Sequence, residues 1–251
     1  MPDFIYKQKR IYYNEVGEGE PLLLLHGNTA SSKMFDSVVD LYKKQYRVIL
    51  IDFLGHGRSE RLEVFPIDLW YEEALQTIAL LEYLDYKNVS IVGTSGGALV
   101  ALNIGLERPD LINKIVADSF EGETALPIVT ELLATLREDS KHDEQAVAFY
   151  QYCHGLDWEQ IVDQDTIALC KHAESIKEFF HKPLSNLNLK VLLTASKEDE
   201  FLGVFCEELY KGLAKELPNG KIHLFQTGSH PAMMSNSQEF VKIVSDFLCE
   251  L

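Results

Sequence analysis

Six compact runs of Leu, Ile and Val, at 21–25, 48–52, 89–92, 112–117, 191–195 and 222–225, constrain this chain more than any other feature. Runs this short and this uniformly apolar are what strands look like when both faces of their sheet are covered, and such sheets are parallel. Amphipathic stretches at 69–86, 98–107, 205–217 and 238–251 have the spacing of helices suited to provide that cover. The alternation predicts an α/β fold: a mostly parallel central sheet with helices on both faces. Ahead of it, 4–7 and 10–16 alternate polar and apolar residues and read as an antiparallel pair, with Gly17-Glu18-Gly19 as a turn.

One interval breaks the pattern. Between 120 and 185 there is no strand-like run, only helix-like segments near 128–137, 144–154, 158–170 and 176–180. This predicts a helical cap, or lid, at 120–185, inserted in a core built from 1–119 and 186–251. The insert holds thirteen acidic and five basic side chains, a net of −8, half of the −16 carried by all 251 residues. Charge of that sign repels phosphate backbones and anionic lipid, so neither nucleic acid nor a membrane is an expected partner. No run approaches the roughly 20 apolar residues of a membrane span, and the opening residues lack a signal peptide's apolar stretch, so a cytoplasmic protein is expected. Cys153, Cys170, Cys206 and Cys249 form no C-x-x-C pair and read as reduced core thiols. Asn88-Val89-Ser90 fits a glycosylation sequon but opens a strand-like run, and it is set aside.

The chemistry concentrates at Gly93-Thr94-Ser95-Gly96-Gly97, which matches G-x-S-x-G directly after one strand and before a helix. A serine on so tight a turn needs small neighbours two positions away, and Gly93 and Gly97 meet that need. The helix behind Ser95 presents a positive dipole end, and the Gly96 N–H can point at a developing oxyanion. Such a serine needs a base of near-neutral proton affinity further along the chain. Of eight histidines, only His230 follows a late strand in a loop of small residues leading to the final helix. His26 and His56 flank glycines after earlier strands and suit packing or loop hydrogen bonds better. The acid that orients the base belongs between Ser95 and His230 at a strand's end. Glu198, Asp199 and Glu200 offer three carboxylates there, with Asp118 after the preceding strand as a further candidate.

Taken together, the chain resembles capped, esterase-like members of the α/β-hydrolase fold family, essentially from end to end. The 22–28 segment LLLLHGN resembles that family's strand and H-G-x oxyanion loop, and the 52–59 segment DFLGHGRS resembles its D-x-x-G-x-G-x-S loop. The resemblance implies a serine hydrolase with Ser95, Asp199 and His230 as triad, and Asn28 and Gly96 as the two backbone N–H donors. The family's acid usually closes a G-x-x-D pattern; Ser196-Lys197-Glu198-Asp199 fits it with serine for glycine, leaving Glu198 as the alternative. Neither a cofactor nor a metal is implied.

Rival readings are weaker. The 55–60 segment GHGRSE places Glu60 where a dinucleotide fingerprint needs a small residue. No H-E-x-x-H or comparable cluster suggests metal catalysis. A small-molecule receptor or signalling partner on the same fold, hydrolysing slowly, is the non-enzymatic alternative. Among enzymes, a serine nucleophile excludes the dehalogenase and epoxide hydrolase types, which use aspartate. Carbon–carbon bond hydrolases, cofactor-free haloperoxidases and proline iminopeptidases share the architecture, although the last typically carry tryptophan where Gly96 stands. Phe149, Tyr150, Tyr152, Phe179 and Phe180 are candidates for lining a pocket or, more simply, for helix core. The acidic cap predicts a neutral small-molecule substrate, unless Arg58, Arg61 or Arg137 reaches the site.

Overall fold

In the computed structural model, which describes residues 2–250, the apolar runs become one eight-stranded sheet. Strands β1 (Asp3–Tyr6), β2 (Lys9–Val16), β3 (Glu20–Leu25), β4 (Tyr46–Ile51), β5 (Val89–Thr94), β6 (Ile112–Asp118), β7 (Lys190–Ser196) and β8 (Gly220–Phe225) lie in the order 1-2-4-3-5-6-7-8. The first two pairings are antiparallel, and every pairing from β4 to β8 is parallel.

The period of two within each strand explains why the runs are apolar throughout. Leu23, Ile49, Ile91, Ile115 and Leu193 point into a core shared with α2 (Leu69–Tyr83), α3 (Gly96–Glu107) and α7 (Cys206–Glu216). Their neighbours Leu22, Val48, Val92, Val116 and Leu192 point into a second core, with α1 (Val39–Tyr42), α8 (Ala232–Ser235) and α9 (Ser237–Cys249). Helix α3 is buried from Gly96 to Leu106, as expected for a segment running behind the middle of the sheet.

Between β6 and β7 stand α4 (Pro127–Ser140), α5 (Glu144–His154) and α6 (Trp158–Ser175). Tyr150 stacks on Trp158 at 5.5 Å and, with Val162, forms a small core of their own. The fourth expected helix, at 176–180, is absent. Helix α6 instead runs on to Ser175, where the Ile176 and Lys177 N–H groups both bond the His172 carbonyl at 2.9 Å. Lys177 then turns left-handed, at φ +73°. The chain beyond it pairs antiparallel with 123–125, through Phe179 N–H to Glu123 O and Ala125 N–H to Lys177 O.

All four cysteines are free. Cys153 and Cys206 are buried, whereas Cys170 is half-buried and Cys249 lies exposed on α9, so the core-thiol expectation fails for Cys249. No helix among the described residues is long and apolar enough to cross a membrane.

Candidate active site

Strand β5 ends at Thr94 and α3 begins at Gly96, so a single residue must reverse the backbone. Ser95 does so at φ +55°, ψ −126°, a sparsely populated conformation that costs about 1–3 kcal/mol. Its N–H donates to the Asp118 carbonyl at 2.8 Å, and its carbonyl accepts from Ala98 N–H at 2.8 Å. The flanking glycines are required by close approach. A Cβ on Gly93 would collide with the Gly97 carbonyl, and one on Gly97 with the Leu25 carbonyl. A Cβ on Gly96 would strike the Asn28 side-chain amide and come within 2.8 Å of the Trp70 indole nitrogen.

The three carboxylates after β7 divide their work. Asp199 is buried, and its Oδ2 accepts from His230 Nδ1 at 2.8 Å, while its Oδ1 accepts from the Phe201 and Leu202 N–H groups at 3.0 and 3.3 Å. Glu200 and Glu198 accept from the backbone N–H groups of His230 at 2.9 Å and Gly228 at 3.3 Å, and so hold the histidine loop. Asp118 does not touch the imidazole. It accepts from the hydroxyls of Thr94 and Thr194 at 2.8 Å each and from Met233 N–H at 3.0 Å, bracing β5, β7 and α8 against one another. Burial outweighs those hydrogen bonds and pushes its carboxyl up to about 6. No hydrogen bond joins Ser95 Oγ to His230 among the described residues; such contacts are often long without substrate.

Sequence reasoning missed a buried polar lock beside Asn28. The Asn28 carboxamide accepts from Trp70 Nε1 at 3.0 Å and donates to Asp165 Oδ1 at 2.9 Å. Asp165 sits on α6, fully buried, and also accepts from Arg137 Nη1 at 2.8 Å, Thr29 N–H at 3.0 Å and His56 Nε2 at 3.0 Å. Desolvation alone would raise its pKa; the Arg137 guanidinium, His56 and the Thr29 N–H together hold it well below the usual carboxylate range. His154, from α5, accepts from Gly57 N–H at 3.1 Å and donates to the Thr29 carbonyl at 2.9 Å. Burial, then the neighbouring His56, pushes its pKa down to about 4, so it is neutral at pH 7. His26 is likewise neutral, pushed by burial to about 3, and bonds Gly27 O and Phe53 N–H. His26 and His56 therefore stitch loops together. No local motif marks Asp165 among thirteen acidic residues of its segment.

A cavity of about 60 Å³ is bounded by Asn28, Ser95, Gly96 and His230, with Trp70, Phe120 and Phe201 as its aromatic walls. None of the five candidate aromatics lines it. Phe179 instead packs edge-on behind Trp70 at 4.9 Å, Tyr150 belongs to the α5–α6 core, and Phe149 and Tyr152 are exposed. Of the three arginines only Arg137 reaches the cavity, and its Nη1 is committed to Asp165 and Thr166. Arg58 pairs with Asp52, and Arg61 with Asp157. Glu121 also lines the cavity; one carboxylate oxygen has no partner, and desolvation pushes its pKa up to about 7.

A mostly parallel sheet in this strand order, helices on both faces and a strained serine turn at its centre define an α/β hydrolase. A family model described as the alpha/beta hydrolase fold matches residues 20–149, and the chain belongs to that family. It is 26% identical to "Serine hydrolase BPHL" of Mus musculus over 95% of this chain and 82% of that protein. It is 25% identical to the 2-hydroxy-6-oxononadienedioate/2-hydroxy-6-oxononatrienedioate hydrolase of Comamonas testosteroni, over 95% and 91% of the two chains. The enol-lactonase structure from Burkholderia xenovorans LB400 superposes with a TM-score of 0.79 at 17% identity, over 99% of this chain and all of that one.

Proposed function

We propose that this protein is a serine hydrolase that cleaves a small neutral ester or related acyl compound in the cytoplasm, without a cofactor. One juxtaposition carries the reading: His230, bonded to buried Asp199, and the strained Ser95 bound the same cavity. Ser95 Oγ attacks the substrate's carbonyl carbon, and its proton passes to His230 Nε2. The backbone N–H groups of Asn28 and Gly96 receive the oxyanion; the latter belongs to a first helical turn and has no intrahelical acceptor. As the bond to the leaving oxygen breaks, His230 returns the proton to that oxygen. Water then attacks the acyl-enzyme, giving its proton to His230, which passes it to Ser95 Oγ as the acyl–oxygen bond breaks and the acid leaves. Asp199 fixes the tautomer and supports the imidazolium.

Residues 120–185 act as the lid over a core of 1–119 and 186–251, excluding water during the reaction. The lid's net −8 and the internal pairing of Arg58, Arg61 and Arg137 support a neutral substrate over an anionic one. The hydrolases named among the relatives support the reaction class. The test is labelling by a fluorophosphonate: Ser95→Ala abolishes it and lowers esterase turnover by several orders of magnitude. Labelling that survives the substitution, or a single slow burst in place of turnover by the unsubstituted protein, overturns the proposal.

A further inference from the structure

The cavity beside Ser95 measures about 60 Å³, room for a few water molecules and far below the 300–1,000 Å³ or so that surrounds a drug-sized ligand. It can seat a carbonyl and little more. Against it lies a groove of about 680 Å³, between the start of α4 and the 200–205 loop. Val129, Phe201 and Leu202 belong to the walls of both spaces. Leu126, Ile128 and Leu132 form one side of the groove and Val204 and Phe205 the other, with Glu200 its only charged residue. Ile128, Val204 and Phe205 are 76%, 90% and 71% exposed, and soluble chains seldom leave such a cluster uncovered without use for it.

We infer that this groove is the enzyme's acyl-chain site and that the substrate is a neutral ester of a medium-length aliphatic acid, longer than butyrate. The inference rests on the reading of Ser95 as nucleophile. With the carbonyl at Ser95, the chain crosses the shared wall of Val129, Phe201 and Leu202 and lies between α4 and the loop. The three residues common to both linings single out the substrate's own tail as occupant, since a docked protein needs no common wall with the site. The acidity of the chain argues against an anionic bilayer.

The test compares kcat/KM for p-nitrophenyl acetate, butyrate, octanoate and decanoate. Full burial of one methylene is worth about fourfold, so partial burial along the groove raises decanoate at least tenfold over acetate. Val204→Asp, Phe205→Asp and Ile128→Asp, all exposed and tolerant of charge in the fold, each lower the decanoate-to-acetate ratio tenfold or more. Ile5→Asp, an equal charge on exposed β1, leaves the ratio as it was. A wild-type kcat/KM that declines from acetate onward, or groove variants that lower acetate and decanoate alike, overturns the inference. So does a Val204→Asp variant that dissociates a dimer in sedimentation, or loses binding to phosphatidylglycerol vesicles, with the ratio unchanged. Acetate turnover in Ser95→Ala reports separately on the nucleophile, so the two readings fail in different measurements.

Discussion

Replacing Asp165 by asparagine removes a charge and no volume, and the structure says what that costs. Each carboxylate oxygen accepts two hydrogen bonds: Oδ1 from Asn28 and Arg137, Oδ2 from Thr29 N–H and His56. An asparagine keeps one acceptor and turns an NH₂ group on the other pair of donors, so at least one buried donor is stranded in either orientation, at about 1–3 kcal/mol. The Arg137 guanidinium, itself buried, also loses its counter-charge, and breaking such a pair costs about 3–5 kcal/mol in all. That is a large part of the roughly 5–15 kcal/mol that holds a domain together, and it lowers Tm by about 10 °C for a chain of this size. Urea unfolding followed by tryptophan fluorescence measures it, with Trp70 reporting on the site because its indole bonds Asn28. In an Arg137→Met background the guanidinium paired with Asp165 is gone, and Asp165→Asn there costs about 1–2 kcal/mol less. Equal costs in the two backgrounds, or a single-variant loss under 1 kcal/mol, would refute the reasoning.

Three further outcomes follow from the same geometry. Asp199→Asn lowers kcat by about 10⁴, whereas Glu198→Gln costs under about tenfold; Asp118→Asn acts on stability, by about 1–3 kcal/mol through its stranded donors, and a kcat loss as deep as that of Asp199→Asn would reassign the acid. The Glu121 carboxyl, raised to about 7 by desolvation, binds a proton more readily folded than unfolded, so stability falls as pH rises between about 4.5 and 7. Glu121→Gln removes that fall: relative to wild type it gains nothing at pH 4 and up to about 3 kcal/mol at pH 8 in chemical unfolding, and a pH-independent difference contradicts the assignment. Amide hydrogen exchange is expected to be faster in the first turns of α4 than in α6; equal protection of the two would show that 120–185 is uniformly anchored.

The fold was legible because strands covered on both faces announce themselves as unbroken apolar runs, and each of the six predicted parallel strands forms within a few residues of its predicted place. The Ser95 turn was legible through its G-x-S-x-G pattern: Gly93 is demanded by the Gly97 carbonyl within the same five residues, although Gly97 itself is demanded by the Leu25 carbonyl on a distant strand. The 176–180 error is the reverse case. Its apolar spacing suits a helix, but Lys177 ends α6 in a left-handed turn and the following residues satisfy their backbone groups on 123–125, a partner some 50 positions away that periodicity cannot reveal. Asp165 and His154 were illegible for that same reason. Their meaning comes from Asn28, Thr29, His56 and Gly57, all on loops more than 90 positions away. The choice among Glu198, Asp199 and Glu200 lay between these extremes: the sequence places all three at the right strand end, and only the loop's fold selects the one that meets the imidazole.

The polar lock also gives the 120–185 segment a direction. Helix α6 buries Ile161, Val162, Asp165, Ala168, Leu169 and His172, and α5 is tied through His154, so moving either helix strands several buried donors and acceptors together. Helix α4 buries only Val129, Thr130 and Arg137, and it leaves Ile128, Leu132 and Leu136 one turn apart on its open side. Local opening follows the path with the fewest buried contacts to lose. That path is at the first turns of α4, beside the apolar groove, because Arg137 near the helix's end is tied to Asp165 and so to Asn28. In the proposed reading, an opening there would admit a chain to the cavity while Asp165 keeps Asn28, and with it the proposed oxyanion donor, in place. On the proposed reading of 120–185 as a lid, the acid that locks α6 and the apolar residues left exposed at the start of α4 serve one requirement: a site that admits substrate without dismantling its electrostatics.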